Sequence, residues 1–331
     1  MLSLARSGDR EAFERLAEPH RAELQLHCYR MLGSIHDAED LVQETLLRAW
    51  RAIAQFEERA SVRSWLYRIA TNACLNSLES TKRHRVLPDT SGTPFDTMPN
   101  ADGAMDLPWL EPYPDSALAG VPDPAPGPDA RYEMREAVQL AFIAAIQLLP
   151  PRQRAVLLLR DVLGLSASEA AKLLDSSVAS VNGALQRARA LIDGRLHSGR
   201  RRSPEPTHRQ RELLERYVHA WEHADVAGFV ALLRDDVLFT MPPWPNWYRG
   251  RKSVGDFLAW TCRPGSSGPF RLVPTAANGQ PAFAFYRRFH RTEWRAHSIQ
   301  LLELDGDEIA SLTSFVSPSL FRAFGLPPVR H

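Results

Sequence analysis

Cysteine is scarce in this chain. Cys28, Cys74 and Cys262 are its only three, none at C-x-x-C spacing, which argues against a disulfide framework or a zinc ribbon. Long apolar runs are missing too: the longest, around Ala137–Ile146, is about half of the ~20 residues a membrane span needs, and it contains Gln139. Arg6, Asp9, Arg10 and Glu11 stand where a signal peptide would need an apolar run, so a soluble, cytoplasmic protein is expected. An excess of one charge is also absent. With 40 Lys+Arg against 39 Asp+Glu the formal net charge is +1, which excludes a histone-like polycation or an acidic solvating tail. A length of 331 residues leaves room for two or three domains.

A neutral total hides a local asymmetry. Residues 88–130 hold ten of the 25 prolines and eight acids, with no Lys or Arg. Proline removes backbone donors and like charges repel, so an extended linker is expected here. Trp109, Leu110 and Tyr113 are odd members of a solvated spacer, and docking on a neighbouring domain would account for them. A shorter basic break, Arg200-Arg201-Arg202-Ser-Pro-Glu-Pro-Thr, follows later.

Before the linker the periodicity is helical. Ala38, Leu41, Val42, Thr45, Leu46, Ala49, Trp50 and Ile53 recur at three-and-four spacing, with a start signal at Ser34-Ile-His-Asp37. A second helix is predicted over Val62–Glu79, and an earlier one over Arg10–Leu32 with a bend at Pro19. Between the breaks, helices are predicted at Tyr132–Leu149 and Pro151–Leu163, followed by two short ones. After Thr207 one or two helices (Gln210–Ala224, Val226–Leu233) precede strand-like segments at Val237–Met241, Phe270–Thr275, Ala282–Phe289, Trp294–Leu304 and Glu308–Val316. Asp305-Gly306 reads as a hairpin turn. This last part is α+β.

Residues 151–196 carry the sharpest pattern. Pro151 opens a helix that stops at Gly164, Ser166-x-x-Glu169 is a capping box, and Asp175-Ser176-Ser177 turns the chain with Ser177 as the next N-cap. In the following helix Val178, Val181, Leu185, Ala188 and Ile192 form the expected buried stripe. Ser180, Asn182, Gln186, Arg187 and Arg189 occupy the other faces. A helix-turn-helix fits: Ser hydroxyls and a helix N-terminus favour phosphate, while Arg, Asn and Gln suit bidentate base contacts in the major groove. An ordinary helical hairpin with solvated polar faces fits the same pattern.

Asp37-Ala-Glu-Asp-Leu-Val-Gln-Glu-Thr45, Arg48-Ala-Trp50 and Ser64-Trp-Leu-Tyr-Arg-Ile-Ala-Thr-Asn72 resemble region 2 of an extracytoplasmic-function sigma factor of the sigma-70 family. Leu149-Pro-Pro-Arg-Gln-Arg-Ala-Val-Leu-Leu-Leu-Arg-Asp161 and Leu185-Gln-Arg-Ala-Arg189 resemble its region 4. Tyr217–Trp221, Met241-Pro-Pro-Trp244, Trp247-Tyr-Arg-Gly250 and Ala277-Asn-Gly-Gln-Pro281 are similar to the SnoaL-like extension of one sigma subgroup. The resemblance implies a multidomain protein: two all-α sigma modules, a region 2 helical bundle and a region 4 helix-turn-helix, plus an α+β SnoaL-like cone. The expected boundaries are 1–87, a linker over 88–130, 131–199 and 208–331.

The roles implied follow residue by residue. Asp37, Glu39, Asp40, Gln43, Glu44 and Arg48 would bind the polymerase core, the acidic ones complementing a basic β′ surface. Arg63, Arg68, Asn72 and Asn76 would engage the opened −10 element, with Trp65 and Tyr67 expected in the core. Ser177, Ser180, Asn182, Gln186, Arg187 and Arg189 would meet the −35 element. Lys82-Arg83-His84-Arg85 suits phosphates or the acidic linker equally. The partners implied are RNA polymerase core (β and β′ subunits) and promoter DNA. No cofactor and no membrane are expected, and the free chain is expected to be a monomer.

The last part raises rival readings. His219-Ala-Trp-Glu-His223 matches H-x-x-E-H, a zinc-peptidase pattern, but two His on the polar side of an amphipathic helix explain it more simply. Phe239, Trp244, Trp247, Tyr248, Phe283 and Phe285 are the candidate lining of a ligand pocket. An isomerase or hydrolase would need an inward carboxylate, and Glu293, Glu303 and Asp235-Asp236 lie at strand margins. The primary expectation is a sigma factor, not an enzyme, whose C-terminal domain regulates it in cis. A SnoaL-like isomerase or hydrolase with a helical regulatory part is the alternative, and a dimeric repressor a third.

Overall fold

The computed structural model describes residues 1–57, 61–81, 85–99, 103–121, 136–194, 206–263 and 269–331. They fall into two units, one of Met1–Arg85 with Ala117–Gly199, the other of Val86–Ser116 with Arg200–His331.

The first unit is helical throughout. Its helices are α1 (Leu2–Arg6), α2 (Arg10–Ala17), α3 (Arg21–Leu32), α4 (Ile35–Ala52), α5 (Val62–Thr81), α6 (Leu140–Gln147), α7 (Pro151–Leu157), α8 (Ala167–Leu173) and α9 (Val178–Asp193). The predicted Arg10–Leu32 helix is broken where expected, by a 3₁₀ turn over Glu18–His20 with Pro19 inside it. Nine residues of α3 are buried, and it ends at Gly33 with φ 72°, a left-handed position that favours glycine. Ser34 then caps α4 by accepting from the Asp37 backbone N–H. Of the predicted Tyr132–Leu149 helix only Leu140–Gln147 is α-helical; Glu136–Val138 forms a 3₁₀ turn, and residues 132–135 lie outside the described residues. The predicted Pro151–Leu163 helix continues past Leu157 as a π-helical turn, Leu158–Val162.

The helices before and after the linker pack against each other inside this unit, tied by buried polar groups. Arg30 Nε donates to the Ala137 carbonyl at 3.1 Å and Gln147 Nε2 to the Arg30 carbonyl at 3.0 Å. Arg154, fully buried, donates to the carbonyls of Ile146 (2.9 Å), Gln147 (2.7 Å), Leu149 (3.2 Å) and Met31, and to Gln147 Oε1 at 2.6 Å. Burial pulls this guanidinium down to about 10, still a cation at neutral pH.

In the second unit a sheet runs in the order β2 (Trp247–Arg249), β1 (Leu233–Thr240), β6 (Glu308–Phe315), β5 (Trp294–Asp305), β4 (Gln280–Arg288), β3 (Phe270–Ala277), with β7 (Val329–Arg330) beside β5. Only the β1–β6 pair is parallel among the paired strands. Helices α10 (His208–Glu222), α11 (Val226–Val230), α12 (Arg251–Cys262) and α13 (Leu320–Ala323) complete it. The α12 helix was not anticipated, although Val254, Phe257 and Leu258 are spaced for one buried face.

Linker residues 86–116 belong to this second unit rather than to a free spacer. Val86 and Trp109 form a β-bridge, and Pro114 forms another with Ala277. Tyr113 and Asn278 exchange bonds at 2.9 Å each way, Tyr113 N–H to Asn278 Oδ1 and Asn278 N–H to the Tyr113 carbonyl. Asp115 Oδ1 accepts from the Gly279 N–H at 2.9 Å. Asn278-Gly279 is the β3–β4 turn, with φ 54° and 69°, a conformation that Asn and Gly tolerate and that turns their backbone toward the strap. Leu110 and Tyr113 are buried and Trp109 half-buried. At the other end of the sheet, Phe95 N–H donates to the Trp247 carbonyl, Met105 N–H to the Pro243 carbonyl and Tyr248 Oη to the Thr97 carbonyl, all at 3.0 Å. Met98 packs on the apolar core between them.

Candidate nucleic-acid and polymerase interfaces

Three exposed helix faces gather most of the expected site residues. On α4, Asp40 and Gln43 are exposed, Glu39 is half-buried, and Glu44 pairs with Arg48 one turn on at 2.7 Å. Asp37 is bound at 2.6 Å by Arg85, so part of its charge is spent inside the unit. Lys82-Arg83-His84 lie outside the described residues. Leu47, half exposed, stands between Gln43 and Arg51 on the same face. Sequence reasoning missed it. Its signal was the Leu46-Leu47 pair, of which only one member can face inward.

On α5, Arg68, Asn72 and Asn76 follow one another at four-residue steps, all exposed, so they line one stripe. Trp65 packs on Phe56 at 4.8 Å and Tyr67 is buried. Arg63, expected with the stripe, is placed elsewhere. It binds the buried Glu23 carboxylate at 2.7 Å and lies over the Tyr67 ring at 5.0 Å. Glu23 also takes His20 Nδ1 at 2.7 Å. A buried carboxylate requires such partners, which ties Arg63 to the fold.

In the helix-turn-helix the Ser166/Glu169 capping box is formed at α8, and the bonds from Ser166 hold the Glu169 carboxyl below its ordinary range. Asp175 turns the chain with φ 51°, and Ser177 accepts from the Ser180 N–H at 3.1 Å to start α9. Ser177, Ser180, Asn182, Gln186 and Arg187 are exposed. Val181, Leu185, Ala188 and Ile192 form the buried stripe, but Val178 does not join it and is 44% exposed. At the first turn of α9 it projects from the same end as Ser177 and Ser180. Arg189 is the second departure. It makes a bidentate pair with Asp161, at 2.5 and 2.8 Å, whose carboxylate is 1% exposed. That pair bridges α9 to the π-turn after α7, and a planar fork so used is withdrawn from base contacts. Lys172, missed in the sequence, lines a shallow concavity with Ser168, Ser176 and Ser177 at the elbow of the motif.

The candidate pocket residues of the second unit pack on one another. Phe239, Trp247, Tyr248, Phe283 and Phe285 are at most 3% exposed, and Trp244 is half-buried. Phe239 meets Phe257 at 4.7 Å and Phe285 meets Trp221 at 5.0 Å. Among the described residues of this unit the buried polar side chains are Thr240, Asn246, Thr261, Asn278, Ser298, Gln300 and Ser314. A carboxylate base is not among them. The Tyr217 hydroxyl donates to Gln300 Oε1, and burial drives its pKa up. His219 and His223 stack at 4.1 Å, with His223 Nδ1 2.9 Å from the His219 carbonyl, and Glu222 accepts from the Leu272 N–H at 2.9 Å. That carboxylate is thus engaged with a strand.

An acidic helix face, a polar stripe on the next helix and a helix-turn-helix on one chain define a promoter-recognition subunit. Sequence models agree: Sigma-70 region 2 matches residues 16–84, Sigma-70 region 4 matches 139–192, and the SnoaL-like domain matches 214–312. Over 324 residues the chain is 42% identical to the ECF RNA polymerase sigma factor SigG of Mycobacterium tuberculosis, covering 97% of this chain and 85% of that protein. It is 28% identical to the ECF RNA polymerase sigma factor SigW of Bacillus subtilis over 191 residues, 56% of this chain and 90% of that protein. The crystal structure of the Mycobacterium tuberculosis extracytoplasmic function sigma factor SigJ aligns with a TM-score of 0.58 and 25% identity, covering 96% of this chain and 99% of that one. The chain belongs to the extracytoplasmic-function family of RNA polymerase sigma factors.

Proposed function

We propose that this sigma factor divides its work among the faces described above and is regulated in cis by its C-terminal unit. The α4 face, with Asp40, Gln43, Glu44 and Arg48 around Leu47, docks on the polymerase core. The Arg68–Asn72–Asn76 stripe engages the opened −10 element, and α9 reads the −35 element through Asn182, Gln186 and Arg187. The chain performs no catalysis; core polymerase, in the cytoplasm, supplies it.

The observation that carries the cis regulation is the strap. Residues 86–116 are the first part of the connector between the two sigma modules, and the backbone of Phe95, Met105 and Tyr113 bonds to the SnoaL-like unit at Trp247, Pro243 and Asn278. Reading two separated promoter elements requires the sigma modules to part, which breaks the bonds from Arg154 to Met31 and from Gln147 to Arg30. A connector held on the sheet limits how far they can part, so releasing it favours the open arrangement. The free chain is a monomer in this reading.

Run-off transcription with purified core polymerase tests the proposal. Full-length chain and a form ending near Gly199 should both give promoter-dependent product, at different levels. No product from either form removes the sigma reading, and equal levels remove the cis regulation.

Two substitutions follow. Asp40→Lys with Glu44→Lys reverses the exposed charge of α4 and should weaken core association, read by native gel shift at low salt; unchanged association contradicts the acidic-face argument. Arg187→Ala should cost about 1–3 kcal/mol of −35 binding if the guanidinium reads a base pair. An equal loss on all DNA sequences would reassign Arg187 to phosphate.

A further inference from the structure

We infer that the SnoaL-like unit carries its own contact surface for the phosphate backbone of duplex DNA, on one face of the sheet at the end remote from the Asn278-Gly279 turn. Strand register builds it. Arg271 pairs with Tyr286, Arg288 with Trp294, and Trp294 with Arg330, so these five side chains share a face of β3, β4, β5 and β7. Arg271 and Arg288 are exposed and Arg330 half-buried.

The two aromatic rings fix the cations in place. The Arg271 guanidinium lies over Trp294 at 5.0 Å and that of Arg330 over Tyr286 at 5.5 Å. Rings covered in this way are not platforms for bases, which argues against single-stranded nucleic acid as the ligand. Arg271 and Arg288 remain exposed, and guanidinium donors suit phosphate oxygens. Arg291 in the β4–β5 connection adds another exposed cation, and Glu293 is the one carboxylate in the sequence from Tyr286 to His297. Glu293 is taken by Arg295 at 2.6 Å. On the opposite face Arg287 stands directly across from Arg295.

Charge complementarity calls for a polyanion. The described part of the acidic strap is engaged elsewhere: Phe95, Met105 and Tyr113 bond to Trp247, Pro243 and Asn278. DNA is the polyanion that a promoter-bound sigma factor always has beside it.

The test uses full-length chain with core polymerase and a promoter duplex carrying long flanks on both sides. Arg271→Gln, Arg288→Gln and Arg330→Gln are combined, and binding is followed from 50 to 200 mM salt. Three lost phosphate contacts should reduce the slope of log K against log salt by about 2–3. The matching triple Lys variant keeps the charge and should keep the slope. An unchanged slope in the Gln variant overturns the inference. So does a slope lost equally in the Lys variant, which would assign the arginines to packing. Weaker core association with an unchanged DNA slope would also overturn it, assigning the face to an acidic surface of the polymerase.

Discussion

Arg154→Met should destabilise the helical unit by about 3–5 kcal/mol, read as a lower urea midpoint of its unfolding transition. Arg154 is fully buried and its donors go to four main-chain carbonyls and the Gln147 side chain. Two effects compete. Methionine removes a cation whose desolvation costs several kcal/mol, and in other buried ion sites a well-packed apolar residue has proved neutral or stabilising. It also strands up to four buried acceptors, each worth about 1–3 kcal/mol when left without a donor; the Ile146 carbonyl keeps the Leu149 N–H at 3.1 Å. The second effect is larger because no carboxylate is relieved by the change: all the acceptors but Gln147 Oε1 are backbone groups that cannot move away. Lysine is a poor substitute, since three donors on a point charge cannot span carbonyls from Met31 to Leu149. One of these bonds, to Met31, reaches from α7 to α3. The variant should therefore also loosen the two sigma modules from each other, seen as faster amide exchange at α3 and α6. A midpoint unchanged within about 0.5 kcal/mol would show that the guanidinium holds nothing.

Arg189→Ala should cost about 3 kcal/mol of stability, while Arg187→Ala, two residues away, should cost less than about 0.5. Arg189 is the partner of Asp161, a carboxylate 1% exposed, at 2.5 Å. Removing the arginine leaves that charge buried and unpaired, which is the expensive state. Arg189 is itself 35% exposed on its side chain, so solvent weakens the pair somewhat and the figure sits at the low end of the range for buried ion pairs. The double change Asp161→Ala with Arg189→Ala should recover a good part of the loss, because the penalty belongs to the orphaned carboxylate. If Arg189→Ala instead leaves thermal stability intact and abolishes −35 binding, the original assignment of Arg189 to DNA is restored.

Arg63 and Arg189 share a reason for being misplaced. Each sits at a helix position that periodicity assigns to the surface, and each is drawn in by one buried acid from a distant part of the chain, Glu23 and Asp161. Spacing along one helix cannot reveal a carboxylate brought near by the packing of another. Val178 failed for a different reason. It is the first residue of α9 and lines the open concavity at the elbow with Ala171 and Lys172 of α8, which leaves it uncovered. The strap is intermediate: Trp109, Leu110 and Tyr113 stood out as residues a solvated spacer would not need, whereas the pairing of Tyr113 with Asn278 and of Trp109 and Leu110 with Val86 was not legible.

What the residues by themselves determined is local and chemical. The capping serines at 34, 166 and 177, the break at Pro19, the acidic face of α4 and the polar stripe of α5 are set by interactions within a few residues, so they could be read directly, and with them the sigma family. Only the tertiary structure decided which arginines are cement and which are free to meet a ligand, where the proline-rich connector lies, and that Arg271, Arg288 and Arg330 come to one face. These depend on pairings between residues up to 165 positions apart, as in Tyr113 and Asn278. Long-range contacts of this kind are chosen by the whole fold, because burying an unpaired polar group anywhere costs more than the local preference of any one segment.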